Sequence, residues 1–317
     1  MQQILLVTVP FFALVLCGWG VTRARLLPLE AIPGLNAFVL FFALPCMLYR
    51  FAATTPIVRL LDPAVSSVYL LCALLMLTLT IVSTRRGAIG WNDASFGALV
   101  AAFPNSGFMG VPLLVALLGQ RAAGPAIVAL AIDMVVTSSL CIALSRLDGA
   151  NEHGVSRAVG SAMKGMLANP LPWSIVLGSL TTATGFELWE PARNTIGMLA
   201  DGASPVALFT IGAVLARPQG ARPSGRVLAD VPLIVFYKLV VHPALVLGIG
   251  KMAQVIGVPL DPFSLTVLVL VAALPSASSI PMLAERFGAD TGRIARIVLF
   301  ATAAAFVSFS GVVLLLV

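Results

Sequence analysis

A chain of 317 residues that is 59% hydrophobic and 10% charged lies far below the roughly 25% charged content of soluble domains. This excludes a water-soluble globular protein and leaves no room for a separate soluble domain. The net charge of +6 is scattered over short loops instead of forming one stripe, which argues against nucleic-acid binding.

Apolar runs of about 20 residues, enough to cross a hydrocarbon core of about 30 Å, recur along the whole chain. The first, residues 4–22, has no Lys or Arg before it and no small-x-small cleavage site, so it is expected to stay as a spanning helix rather than act as a signal peptide. Nine more spans are predicted at about residues 33–53, 64–83, 94–118, 122–144, 170–186, 195–216, 230–250, 263–286 and 292–316. Of the nineteen Lys and Arg residues, thirteen fall in loops after odd-numbered spans and five after even-numbered spans, with Lys238 inside a span. Positive loops stay in the cytoplasm, so both termini are expected on the non-cytoplasmic side of a cytoplasmic (inner) membrane. The cysteines Cys17, Cys46, Cys72 and Cys141 lie within apolar runs without metal or disulfide spacing, and read as buried small hydrophobes.

Between the fifth and sixth spans, Val155, Ala158, Val159, Ala162, Met163, Met166 and Leu167 recur at helical spacing, with Arg157, Ser161 and Lys164 opposite. This pattern predicts a short amphipathic helix on the cytoplasmic leaflet. It divides the chain into a first five-helix repeat at 1–150, a linker at 151–169 and a second repeat at 170–317. With an odd number of spans in each, the second repeat is inverted relative to the first.

The halves share weak likeness. Ala43-Leu44-Pro45 in the second span parallels Ala203-Ser204-Pro205 in the seventh, and Ala101 to Ser106 in the fourth parallels Ala272 to Ala277 in the ninth. The fourth span is interrupted by Pro104-Asn105-Ser106-Gly107-Phe108-Met109-Gly110-Val111-Pro112, the ninth by Pro275-Ser276-Ala277-Ser278-Ser279-Ile280-Pro281. Proline removes a donor and clashes with the preceding turn, so both stretches are expected to unwind. Unwound backbone within a bilayer is tolerated only where protein or a wet cavity satisfies it. The expected architecture is therefore an all-α polytopic membrane protein, ten transmembrane helices in a 5+5 inverted repeat with broken, crossing fourth and ninth helices. Free N–H groups at the starts of the second halves, near Asn105 to Gly107 and Ser276 to Ser279, favour an anion. The carbonyls ending the first halves suit a cation or a donor, so the dipoles alone leave the sign of the ligand open. The substrate-binding candidates are Asn105, Ser106, Gly107, Ser276, Ser278 and Ser279. The helix-break residues are Pro104, Gly110, Pro112, Pro275 and Pro281.

Ionisable groups inside spans cost on the order of 2.5 to 3.5 kcal/mol each and are functional candidates by default. Here they are Asp133 in the fifth span and Lys238 and His242, i and i+4, in the eighth, with Asp201 nearer the outside in the seventh. An ion pair of Lys238 with Asp133 or Asp201 is the structural alternative to a coupling role. Arg50, close to a helix end, is expected to snorkel.

The run from Pro104 to Pro112 resembles the broken helix of the auxin efflux carrier family, which includes plant PIN-type exporters and bacterial carriers proposed to move malonate and similar acids. The likeness continues through Leu35 to Leu40 and Pro45, Asn169-Pro170, Pro205 to Gly212, and Leu274-Pro275 on to Glu285-Arg286-Phe287-Gly288. The resemblance implies a ten-helix, two-repeat secondary transporter in which a mobile domain moves against a scaffold by elevator-type alternating access. It also implies a small carboxylate bound near the crossover, with Asn105 carried over as a binding residue. The long cytoplasmic loop of many plant members is absent, and Ser276-Ala277-Ser278-Ser279 differs from the plant polar set, which argues against auxin itself. Bile-acid and sodium–proton carriers have a related architecture, so H+ or Na+ coupling stays open. Membrane lipids and a second copy of the chain are the other expected partners.

An enzyme would need a constellation that is missing: there is no HExxH, GxSxG, Walker loop or GxGxxG, and no cofactor or metal site is expected. Ser161-Ala162-Met163-Lys164 matches SxxK without its partner motifs. An ion channel is the remaining alternative, because broken helices also line pores.

Overall fold

The structure is a computed structural model that describes residues 2–56, 60, 62–85, 89–147, 170–216 and 230–317. The predicted amphipathic segment at 151–169 lies outside the described residues. The described chain is helical: α1 Gln2–Arg23, α2 Ala31–Ala53, α3 Pro63–Thr84, α4 Trp91–Ala102, α5 Ser106–Leu118, α6 Gln120–Leu144, α7 Pro170–Thr184, α8 Glu190–Leu215, α9 Val231–Val255, α10 Pro262–Ala273, α11 Ile280–Arg286 and α12 Thr291–Leu316. Six of these, α2, α3, α6, α8, α9 and α12, are long and apolar enough to cross a membrane. No strand forms among the described residues, and the extended pairing present is a lone bridge between Pro104 and Ser276.

Four helices contain a wide π turn: Val39–Ala43 in α2, Ser106–Gly110 in α5, Asp133–Thr137 in α6 and Tyr237–Val241 in α9. Three have a common cause. Pro45, Pro112 and Pro243 follow the first, second and fourth turns. Each lacks the N–H that would serve the carbonyl four residues earlier, at Phe41, Phe108 and Leu239, and its ring crowds that carbonyl. Those three residues are the centres of their π turns, so the helix widens to relieve the conflict. In α6 no proline follows the turn, Pro125 lying two helical turns before it. The Ser138 hydroxyl instead donates to the Asp133 carbonyl five residues back at 2.8 Å. Pro205, expected to parallel Pro45, sits in α8 without such a turn.

The described chain packs as two compact units, each drawing on both halves of the sequence. The first comprises Met1–Asp62, Gly107–Val128 and Asn169–Pro218. Here α1 lies on α8 and α7 on α2, with backbone nearly touching backbone. A Cβ on Gly212 would stand 1.8 Å from the Val15 carbonyl oxygen, one on Gly18 1.9 Å from that of Phe209, and one on Gly178 2.5 Å from that of Tyr49. Small residues permit this approach, the usual means of joining helices where lipid removes the hydrophobic driving force.

The second unit comprises Pro63–Ser106, Ala129–Ala168 and Gln219–Val317. Its centre is formed by α4 and α10, whose residues are buried almost without exception, Ala94 to Ala102 and Ser264 to Ala273. Helices apolar on every side require neighbours on every side. α3 and α12 pack against both, α9 lies along α10, and the start of α9 reaches α4. Cys72 and Cys141 are buried in this unit, whereas Cys17 of the first is exposed from protein, against the expectation of burial.

Candidate substrate and coupling site

Within the second unit the helical backbone stops at Ala102 and again at Ala273. The residue before a proline is driven out of the helical region by the ring. Phe103, before Pro104, accordingly has φ −88° and ψ 102°, and Leu274, before Pro275, has φ −61° and ψ 154°. The two extended stretches pair antiparallel: the Asn105 N–H donates to the Pro275 carbonyl at 2.8 Å and the Ala277 N–H to the Phe103 carbonyl at 3.0 Å. The Ser276 hydroxyl donates to the Val100 carbonyl in the last turn of α4 at 2.7 Å. Each break thus satisfies polar backbone that the other exposes.

This pairing corrects part of the expected ligand site. The N–H groups of Asn105 and Ala277 do not face a ligand, because the breaks lie close enough to bond each other. Ser276 ties the crossing together, and the Ser106 N–H and hydroxyl turn back to the Pro104 carbonyl at 2.8 and 3.4 Å. Asn105 is buried beside the bridge, while Ser278 and Ser279 are half-buried at the entry to α11. Pro275 and Pro104 are buried in the bridge, and Pro281 stands in the first turn of α11, where a missing N–H costs nothing. Gly107, Gly110 and Pro112 belong to the first unit, Gly107 and Pro112 half-buried and Gly110 buried.

The same unit gathers the intramembrane ionisable residues. Asp133 is fully buried and accepts from the Tyr69 hydroxyl at 2.7 Å and from Thr137 at 3.1 Å. Lys238 and His242, both fully buried, share one face of α9. The Lys238 Nζ lies 3.1 Å from His242 Nδ1 and donates to the Ala272 carbonyl at 3.1 Å. That carbonyl lies one residue before the end of α10, so the polar cluster touches the break. Tyr69 links its two sides, its ring 6.3 Å from that of His242. Asp133 and Lys238 both lie on π turns, widened segments that recur at functional sites.

The ion-pair alternatives for Lys238 are not what forms. Lys238 interacts electrostatically with Asp133, but its bonds go to His242 and the Ala272 carbonyl; Asp201 pairs with Arg50, and the buried Arg293 pairs with Asp230. Arg50, read as snorkelling, meets Asp201 at 2.7 Å on an exposed face.

The Arg293 pair was missed from sequence, where Arg293 counted as a loop cation. It is fully buried. Its Nε contacts both Asp230 oxygens at 3.2 and 3.1 Å, its Nη2 bonds Asp230, and its Nη1 donates to the Asp93 carbonyl at 2.7 Å. Asp93 in turn accepts from the Asp290 N–H at 2.8 Å. The first turns of α4, α9 and α12 are thereby bound together. A signal existed in Gly97, where a Cβ would stand 2.7 Å from the guanidinium. Tyr69 had a weaker one, as a lone phenol within the apolar third span.

A helical chain with six membrane-length apolar segments, paired helix breaks and buried charge beside them belongs to the class of membrane transporters. It matches the model of the family described as membrane transport protein over residues 4–313, and it belongs to that family, the auxin efflux carrier family of transporters, which are not enzymes. It is 26% identical over 321 residues to a Rhizobium meliloti (strain 1021) protein named "Putative malonate transporter", covering 100% of this chain and 97% of the other. An "Uncharacterized transporter" of Methanothermobacter thermautotrophicus is 25% identical, covering 93% and 92%. "Auxin efflux carrier component 8" of Arabidopsis thaliana is 22% identical, covering 84% and 85%.

Proposed function

We propose that this protein carries a small carboxylate across the cytoplasmic membrane by elevator-type alternating access. Its frame is ten spans in two inverted five-helix repeats, residues 1–150 and 170–317, with both termini on the non-cytoplasmic side. The observation that carries the reading is the mutual pairing of the Pro104 and Pro275 breaks, with Asn105 buried beside them and Lys238 bonded to the end of α10. Backbone of this kind is stable inside a bilayer only when protein or a polar cavity receives it. Asn105 supplies a carboxamide donor for the substrate carboxylate, with Ser278 and Ser279 at the start of α11 as further donors. Asp133, Lys238 and His242 are the groups through which transport couples to an ion. The relative named for malonate spans the whole chain, which makes malonate the first substrate to test.

The purified protein in proteoliposomes is expected to take up labelled malonate or another short mono- or dicarboxylate, saturably and without single-channel currents. Asn105→Ala is expected to weaken apparent affinity about tenfold or more, the loss of a hydrogen bond to a charged group, with an unchanged melting temperature. Equal affinity in variant and parent removes Asn105 from the site. Channel-like currents, or indifference to every carboxylate, remove the transport reading.

A further inference from the structure

We propose that the Lys238 ammonium is a tethered counter-ion, holding at the end of α10 the position that a bound monovalent metal cation would otherwise take. The inference rests on the transporter reading for its bearing on coupling, and on geometry for everything else. The last carbonyls of any helix lack an intrahelical donor, and together they form the negative end of its dipole. Water cannot serve those of α10, because Leu270 to Leu274 are buried on all sides. The Val271 carbonyl receives the Leu274 N–H at 3.2 Å. The Ala272 carbonyl receives Lys238 Nζ at 3.1 Å.

The surroundings of Nζ have the character of a cation site. A helix-end carbonyl and the His242 ring nitrogen bond it directly, and the Asp133 carboxylate attracts it. Asp133 is held by the Tyr69 and Thr137 hydroxyls, so both of its oxygens already have donors without a direct ion pair. The His242 Nε2, fully buried, has no hydrogen-bond partner. Hard monovalent and divalent cations select sets rich in carbonyl and carboxylate oxygen. The π turn at Tyr237–Val241, opened by Pro243, carries Lys238 on the helix that lies along α10. A cation fixed to the chain travels with it and is never released, so transport need not draw on a sodium gradient.

Removing the charge should turn this position into a site for a free cation. Purified protein is melted in detergent in sodium, potassium and choline chloride at equal ionic strength, with no substrate present. The parent is expected to melt at one temperature in all three. Lys238→Ala is expected to melt lower in choline and to regain stability saturably with sodium or potassium, since a ligand of the folded state raises its apparent stability. Lys238→Met, which fills the space without charge or room, is expected to regain none. Sodium-specific stabilisation of the parent, or a folded Lys238→Ala variant indifferent to every cation, overturns the proposal. Should Lys238→Ala fail to fold, Lys238→Arg and the parent decide it: sodium indifference in both supports a tethered charge, and sodium stabilisation of either refutes it. Because substrate is absent, failure of carboxylate transport leaves this result standing, and the reverse holds.

Discussion

The two units of this protein solve the problem of folding in lipid by different means. In the first, helices approach until glycine backbone meets backbone, at Gly212 against Val15 and Gly18 against Phe209, and its ion pair, Arg50–Asp201, is exposed. In the second, polar chemistry is internal: Asp133, Lys238, His242 and Arg293 are all fully buried, and two helices are broken and rejoined through their backbones. The first resembles a framework held by shape, whereas the second carries charge that must be balanced group by group. Internal charge is tolerated only when each group has partners, so the second unit is where substitutions should reveal function as well as stability.

Substitutions that remove one partner in each unit can break or sharpen this contrast. The largest effect is expected at Arg293→Met, which leaves Asp230 beside buried structure without its partner. Breaking a buried pair in this way costs about 3 to 5 kcal/mol, to be read as the greatest fall in melting temperature in detergent. Next comes Gly212→Ala, which drives a methyl into the Val15 carbonyl; overpacking of this kind costs about 1 to 3 kcal/mol. If Gly212→Ala matched or exceeded Arg293→Met, the distinction between a shape-held and a charge-held unit would fail. The smallest effect is expected at Asp201→Asn, since exposed pairs contribute about 0 to 1 kcal/mol. A large loss there would show that the Arg50–Asp201 pair is shielded by lipid and belongs with the buried charges.

Much of the candidate site could be read along the chain. The breaks at Pro104 and Pro275 follow from proline chemistry, and Lys238 and His242 share a face because they are four residues apart on a helix. Neither inference needs to know which helices are neighbours. The use of each polar group did need that knowledge. Ser276 looked like a ligand donor and instead bonds the Val100 carbonyl. Lys238 suggested an ion pair with Asp133 or Asp201 and instead bonds His242 and the Ala272 carbonyl. Arg293, counted with the loop cations although it stands at the start of the tenth predicted span, is buried against Asp230, 63 residues earlier. Its loop placement followed from counting charges, and counting is blind to partners distant in sequence.

What the sequence alone determined is local and compositional: a membrane chain, helical because lipid leaves backbone groups no other partner, interrupted where proline removes a donor. Only the tertiary structure decided where each displaced donor and acceptor goes. That choice depends on distances between segments far apart in the chain, which hydropathy and spacing do not encode. A buried charge or a broken helix announces that a partner must exist, and the pairing of the breaks that follow α4 and α10 and the packing of α9 along α10 supply it.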